Sequence, residues 1–160
     1  MKKCVLCPRG CNVDRENIVG FCGEKGMKIA HAMLHKWEEP IISGKNGSGA
    51  IFFSGCNMKC VYCQNYELSR GKIGKYSTKE EFIELIKNLE KAGAHNINLV
   101  TPTHYIPLIK ETLIIAKDKG LIIPIVYNTS SYEKVDSLNF LEGLIDIYLP
   151  DLKYYDNDLG

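Results

Sequence analysis

Phe52-Phe53-Ser54-Gly55-Cys56-Asn57-Met58-Lys59-Cys60-Val61-Tyr62-Cys63-Gln64-Asn65 is the stretch around which the rest of the chain is organised. Cys56, Cys60 and Cys63 form a CxxxCxxC pattern directly after an apolar run, Ala50 to Phe53, that reads as a buried strand. One short loop therefore carries three thiols. A closed structural zinc site needs four ligands, so three thiols leave it one short. A cubane of four irons and four sulfides can take three cysteines and keep one iron open for another ligand.

The other four cysteines lie upstream. Cys4, Cys7, Cys11 and Cys22 complete a total of seven in 160 residues, and none follows Cys63. In a reducing compartment, grouped cysteines serve metal binding or chemistry more often than disulfides. Residues 1–30 contain Pro8, several glycines and no sustained helix or strand period, so burial alone cannot fold them. The spacing Cys4-x-x-Cys7-x-x-x-Cys11, with Cys22 after a short loop, offers four thiolates to a structural zinc ion, whose binding would fold the segment. A second iron–sulfur cluster is the rival reading, and unliganded buried cysteines are the plain alternative.

Composition bounds the rest. The chain is 45% apolar, long enough for a core of its own, and its formal net charge is +1 with both signs interspersed. Nothing in it points to nucleic acid or to an anionic membrane surface. Lys2 and Lys3 are not followed by the apolar core of a signal peptide, and no apolar run is long enough to span a bilayer. The expected compartment is the cytoplasm.

Between the two cysteine groups, His31 to Ser43 reads as a connecting segment with a short extended piece. Its neighbouring carboxylates Glu38 and Glu39 are expected to be solvated and to point apart. Lys45-Asn46-Gly47-Ser48-Gly49 is turn chemistry with a hairpin signal. Beyond the cysteine loop the pattern becomes regular. Ser77-x-x-Glu80 and Thr78-x-x-Glu81 are capping-box candidates, and Phe82, Leu85, Ile86 and Leu89 share one face of a helix ending near Gly93. Asn96 to Thr101 predicts a strand. Pro107 opens a second helix that Gly120 stops. Leu121 to Tyr127 predicts a strand covered on both faces, although Pro124 interrupts it. Ser130-x-x-Glu133 predicts the cap of a third helix with Val135, Leu138 and Leu141 inward, and Leu144 to Leu149 predicts another strand. Alternating strands and helices imply parallel strands with right-handed crossovers, in a barrel or an open doubly wound sheet. In either, ligands bind beyond the C-terminal strand ends. The cysteine loop, Thr101 to Tyr105, Asn128 to Ser131 and Asp151 to Lys153 occupy such ends.

Taken together, Cys-x-x-Cys-Pro-Arg-x-Cys, Glu38-Glu39-Pro40, the cysteine loop, Thr-Pro-Thr-His-Tyr, Tyr-Asn-Thr-Ser and Tyr-Leu-Pro-Asp-Leu-Lys resemble the radical S-adenosylmethionine enzymes. Within them the match is to the group related to the pyruvate formate-lyase activating enzyme. The resemblance implies an α/β fold, a partial TIM-like barrel with about four parallel strands over residues 31–160, preceded by a cysteine-rich metal-binding segment over residues 1–30. It implies that Cys56, Cys60 and Cys63 ligate a [4Fe–4S] cluster whose fourth iron is chelated by S-adenosylmethionine. Tyr62 would lie against the adenine. Thr103 and His104 stand where many relatives carry a Gly-Gly-Glu motif for the methionine amino group. Asn128 and Thr129 take the place of an Asp-Thr pair, Asp151 and Lys153 would line the cofactor site, and Ser131 replaces a glycine. No catalytic side chain is assigned.

The implied chemistry is reductive cleavage of S-adenosylmethionine to a 5'-deoxyadenosyl radical. The implied partners are a glycyl radical enzyme as protein substrate and flavodoxin or ferredoxin as one-electron donor. The resemblance also implies strand–helix units beyond Gly160, hence a C-terminally truncated chain: a truncated gene product, half of a split enzyme or an incomplete sequence. The competing functional reading is a fragment that binds iron–sulfur or zinc without turnover.

Overall fold

The computed structural model describes residues 3–158; the chain end at Gly160 lies outside them. Six strands form one mixed sheet: β1 (Lys28–His35), β2 (Ser48–Phe53), β3 (Lys75–Tyr76), β4 (Ile97–Val100), β5 (Ile125–Thr129) and β6 (Ile147–Pro150), in the order β3-β1-β2-β4-β5-β6. β2, β4, β5 and β6 run parallel, as the alternation predicts, and β1 runs antiparallel to both β2 and β3. Among the described residues the sheet is open and does not close into a barrel. No helix among them is long and apolar enough to cross a membrane.

The helices are α1 (Pro40–Ser43), α2 (Tyr66–Ser69), α3 (Lys79–Lys91), α4 (Ile106–Asp118) and α5 (Val135–Asn139). Of the two capping candidates, the structure uses Thr78: its hydroxyl accepts from Glu81 N–H, while the Glu81 carboxylate accepts from Thr78 N–H. α3 packs Phe82, Ile86 and Leu89 into the core with Leu85 at its margin, as expected, and buries Ile83 outside that cluster. α4 carries its proline in the first turn and adds Ile109, Leu113 and Ala116 to the same core. Burying each large aliphatic side chain contributes about 1.5–3 kcal/mol, which outweighs the local propensity terms. Thr78→Ala should lower stability by about 1 kcal/mol. An unchanged urea midpoint would show that the box does not hold this helix end.

Four expectations change. β1 stands in place of the expected irregular and connecting sequence: it begins inside residues 1–30 and pairs along its length with β2. The Asn-Gly turn does not make a tight hairpin, because residues 36–47, including α1, separate His35 from its partner Ser48. β5 starts at Ile125, since Pro124 has no N–H to give to a ladder; its carbonyl still accepts from Ile97 N–H. α5 begins at Val135 rather than at Ser130, and Val135 is exposed while Leu141 is fully buried. Glu133, expected to serve the helix cap, is taken by partners elsewhere in the fold.

Candidate functional site

The C-terminal ends of the four parallel strands enclose one pocket. It is lined by Phe52 and Phe53 at the end of β2, Val100 and Thr101 after β4, Asn128, Thr129 and Ser130 after β5, and Asp151 and Lys153 after β6. Cys56, Cys60 and Cys63 line the same pocket. Three of the four loops reach it through backbone that non-glycine residues rarely adopt: Lys59, Thr101 and Ser131 all have positive φ, between 54° and 61°. The value of 61° at Ser131 lies in a region that glycine adopts at no steric cost, in keeping with the glycine that the resemblance implies there.

The cysteine loop is held from behind. Gly55 has φ +81°, and a Cβ there would lie 2.6 Å from the Cys22 carbonyl oxygen and 2.9 Å from Glu24 Cγ. Glycine is therefore needed both for the turn and for this close approach. The Ser54 carbonyl, one residue earlier, faces His104 Nε2 at 2.8 Å and accepts from the Tyr105 hydroxyl at 2.9 Å. Burial pushes the Cys56 thiol above the usual thiol range, and Cys60 and Cys63 raise it further. The backbone N–H groups of Lys59 and Met58 oppose that shift, Met58 N–H donating to Cys56 Sγ at 3.3 Å. Such N–H donors favour the thiolate that ligation needs.

The donor set fits an iron–sulfur cluster: three soft ligands on one loop, bordering an open pocket. Among the described residues no group of three or more His, Cys, Asp or Glu side chains is arranged to hold a single metal ion. That applies to the four N-terminal cysteines too. They are electrostatic neighbours: burial raises the Cys7 thiol, and Cys11, Cys4 and Cys22 add to the shift.

Two arginines that sequence reasoning missed fasten the N-terminal segment to the site. Arg9 Nε donates to the Asn57 carbonyl at 2.9 Å and its guanidinium lies 3.9 Å over the Phe21 ring. Arg15 donates to the carbonyls of Glu24 and His104. Glu24, 2% exposed, takes Lys28 Nζ and the Tyr76 hydroxyl. The Pro-Arg pair inside the cysteine spacing was the available signal for Arg9; nothing local marks Arg15 or Glu24.

The expected cofactor residues divide into two groups. Asn128, Thr129, Asp151 and Lys153 face the pocket, the last two paired with each other. Thr103 and His104 stand behind its wall. Thr103 is fully buried and donates to Glu133 Oε1 at 2.6 Å, as do the hydroxyls of Thr129 at 2.5 Å and Tyr127 at 3.3 Å. Glu133 thus ties the end of β4 to the end of β5. Burial raises its carboxyl pKa, the three hydroxyls opposing. His104 is pushed down to about 4, first by burial and then by the Arg15 and Lys59 charges, so its ring is neutral near pH 7. Tyr62 stands outside the residues that line the pocket, 55% exposed, with its hydroxyl donating to Tyr154 at 2.8 Å.

Residues 50–159 match the Radical SAM superfamily. An uncharacterized protein of Methanocaldococcus jannaschii is 36% identical over 99% of this chain and 48% of its own length. A second uncharacterized protein of that organism is 24% identical over 91% of this chain and 51% of its own. The chain spans about half the length of these curated relatives. No solved structure matches it.

Proposed function

The chain belongs to the radical SAM superfamily, and from that premise we propose that Cys56, Cys60 and Cys63 hold a [4Fe–4S] cluster at which S-adenosylmethionine is cleaved reductively. The observation that carries the reading is a single pocket bordered both by the three thiols and by the polar ends of β5 and β6. Bound there, the cluster and S-adenosylmethionine would supply one-electron cleavage of a carbon–sulfur bond and a 5'-deoxyadenosyl radical able to take hydrogen from a substrate.

The chain's own residues bind, orient and exclude water. Lys153 offers a cation to the methionine carboxylate, and Asp151 an acceptor to an amino or ribose hydroxyl group. Asn128 and Thr129 add an amide and a hydroxyl from the end of β5, the strand beside β6. Tyr62 offers a ring face to the adenine. Thr103 and His104 act from behind: Thr103 through Glu133, and His104 by fixing Ser54, two residues before Cys56. Phe52, Phe53 and Val100 supply the apolar floor that keeps water from a reactive intermediate.

Four adjacent parallel strands favour a partial TIM-like barrel of the radical SAM type, and the motifs favour the group related to the pyruvate formate-lyase activating enzyme. The substrate in that reading is a glycyl radical partner protein, with flavodoxin or ferredoxin as electron donor. Cys4, Cys7, Cys11 and Cys22 are proposed to hold a second metal, zinc or iron–sulfur, that steadies the segment carrying Arg9 and Arg15. Anaerobic reconstitution followed by reduction with S-adenosylmethionine tests the central reading. Loading of about four irons at the loop and release of 5'-deoxyadenosine is the expected result. A loaded cluster without 5'-deoxyadenosine would leave an iron–sulfur protein without turnover.

A further inference from the structure

Glu38 does not have the solvated surroundings expected of it. The core faces of β2, β4 and β5 carry Ile51, Phe53, Ile97, Leu99, Ile125 and Tyr127. By strand alternation, the opposite face carries Ala50, Phe52, Asn98, Val100, Val126 and Asn128. Glu38, on the loop between β1 and β2, reaches onto that second face with its side chain 16% exposed. Its Oε1 accepts from Asn98 Nδ2 at 3.1 Å and from Asn128 Nδ2 at 3.2 Å. Among the described residues the one basic side chain within ion-pair distance is His35, 3.6 Å from Oε2, which is charged only when protonated.

The amides leave acceptors over. Asn98 is fully buried and its Oδ1 has no hydrogen-bond partner. A buried carbonyl without a donor is destabilising, and here it stands beside a carboxylate with no permanent cation. The unmet demand is for hydrogen-bond donors that carry positive charge. The register fixes where they would come from. Phe52, Val100 and Asn128 lie side by side in one layer, and all three line the pocket. Ala50, Asn98 and Val126 form the next layer, two residues or about 7 Å deeper. A group reaching Asn98 from the pocket passes apolar Phe52 and Val100 first.

We propose that Glu38 and Asn98 form a subsite for a cationic nitrogen group, an ammonium or a guanidinium, carried on an aliphatic stem that extends from the pocket. An aliphatic stem of about four carbons spans the single layer between them. The group belongs either to a small molecule or to a lysine or arginine side chain of a protein, and the chemistry is common to both. Calling this ligand the substrate rests on the radical chemistry proposed above; its binding does not, because Glu38 and Asn98 lie outside the residues that line the pocket with the three thiols.

The test is a titration of the isotope-labelled chain with the metal it carries on purification left in place, following the side-chain amide signals of Asn98 and Asn128 by NMR. The probes are n-butylguanidinium, n-butylammonium, a blocked Gly-Arg-Gly peptide and neutral butyramide. Saturable shifts with a cationic probe and none with butyramide are expected. Saturation by the small cations marks a small-molecule ligand, and saturation by the peptide alone marks a protein side chain. In Glu38→Gln, which keeps the shape, affinity should fall about tenfold or more, as loss of a charge-assisted pair implies. Equal shifts with butyramide, no saturable shift with any cation, or an unweakened response in a folded Glu38→Gln would overturn the subsite. The comparison of probes on the unsubstituted chain decides even if the variant fails to fold. Absence of 5'-deoxyadenosine in the reconstitution would remove the radical chemistry and leave this titration standing.

Discussion

With the cluster held as proposed, the chain carrying Cys56→Ala, Cys60→Ala and Cys63→Ala together should go from about four irons at the loop to none and form no 5'-deoxyadenosine. Each thiolate would hold one corner of the cluster, so none substitutes for another, and nothing else lining the pocket is a thiol. The loop itself should survive. It is held by Ser54, by the close approach of Gly55 to Cys22 and by Arg9 on the Asn57 carbonyl, and none of these contacts uses a thiol of the triplet. Full iron loading in the triple variant would sink the assignment.

The same variant reads out the N-terminal cysteines, because any metal it retains belongs to them. Retained zinc supports a zinc-steadied segment, retained iron supports a second cluster, and a metal-free protein leaves four unliganded thiols. The arrangement of that segment gives the result a structural meaning. Arg9 and Arg15 connect residues 1–30 to the cysteine loop and to His104, so whatever steadies the segment also steadies the pocket wall.

Legibility in the sequence followed the range of the interactions. The cysteine loop, the Thr78 box and the proline-led start of α4 are local signals, settled by residues within one turn of each other, and all three stand where the pattern puts them. β1 was hidden because its alternation is shallow: Ala32 and Leu34 face the core, while His31, Met33 and His35 occupy the other face. Ser130-x-x-Glu133 has the letters of a capping box, but three buried hydroxyls, two from β5 and one from the turn after β4, compete for the carboxylate and win. Glu38 and Glu39 are indistinguishable as neighbours in sequence. Only the path of the loop over the sheet decides which of them meets Asn98.

Glu133 provides the largest stability effect and one with a defined pH signature. Glu133→Leu removes the acceptor shared by Thr103, Thr129 and Tyr127 and should cost about 3 kcal/mol, since buried hydroxyls left without a partner cost about 1–3 kcal/mol each and some reorient. Glu133→Gln keeps an acceptor oxygen and removes the charge, so its loss should be much smaller. The carboxyl's pKa is raised on folding, chiefly by burial. Its contribution is therefore fully present below the usual carboxylate range and is lost as pH rises through the raised value. His104 runs the other way. Depressed to about 4, it contributes stability above its ordinary value of 6.5 that disappears as pH falls through about 4. Unfolding by urea from pH 4 to 7.5 separates the two. Relative to the unsubstituted chain, Glu133→Gln should gain stability as pH rises, while the acid-side loss from His104 persists in both. A difference between them that stays constant with pH would mean that Glu133 titrates alike in the folded and unfolded chain, and that its hydroxyl partners offset its burial.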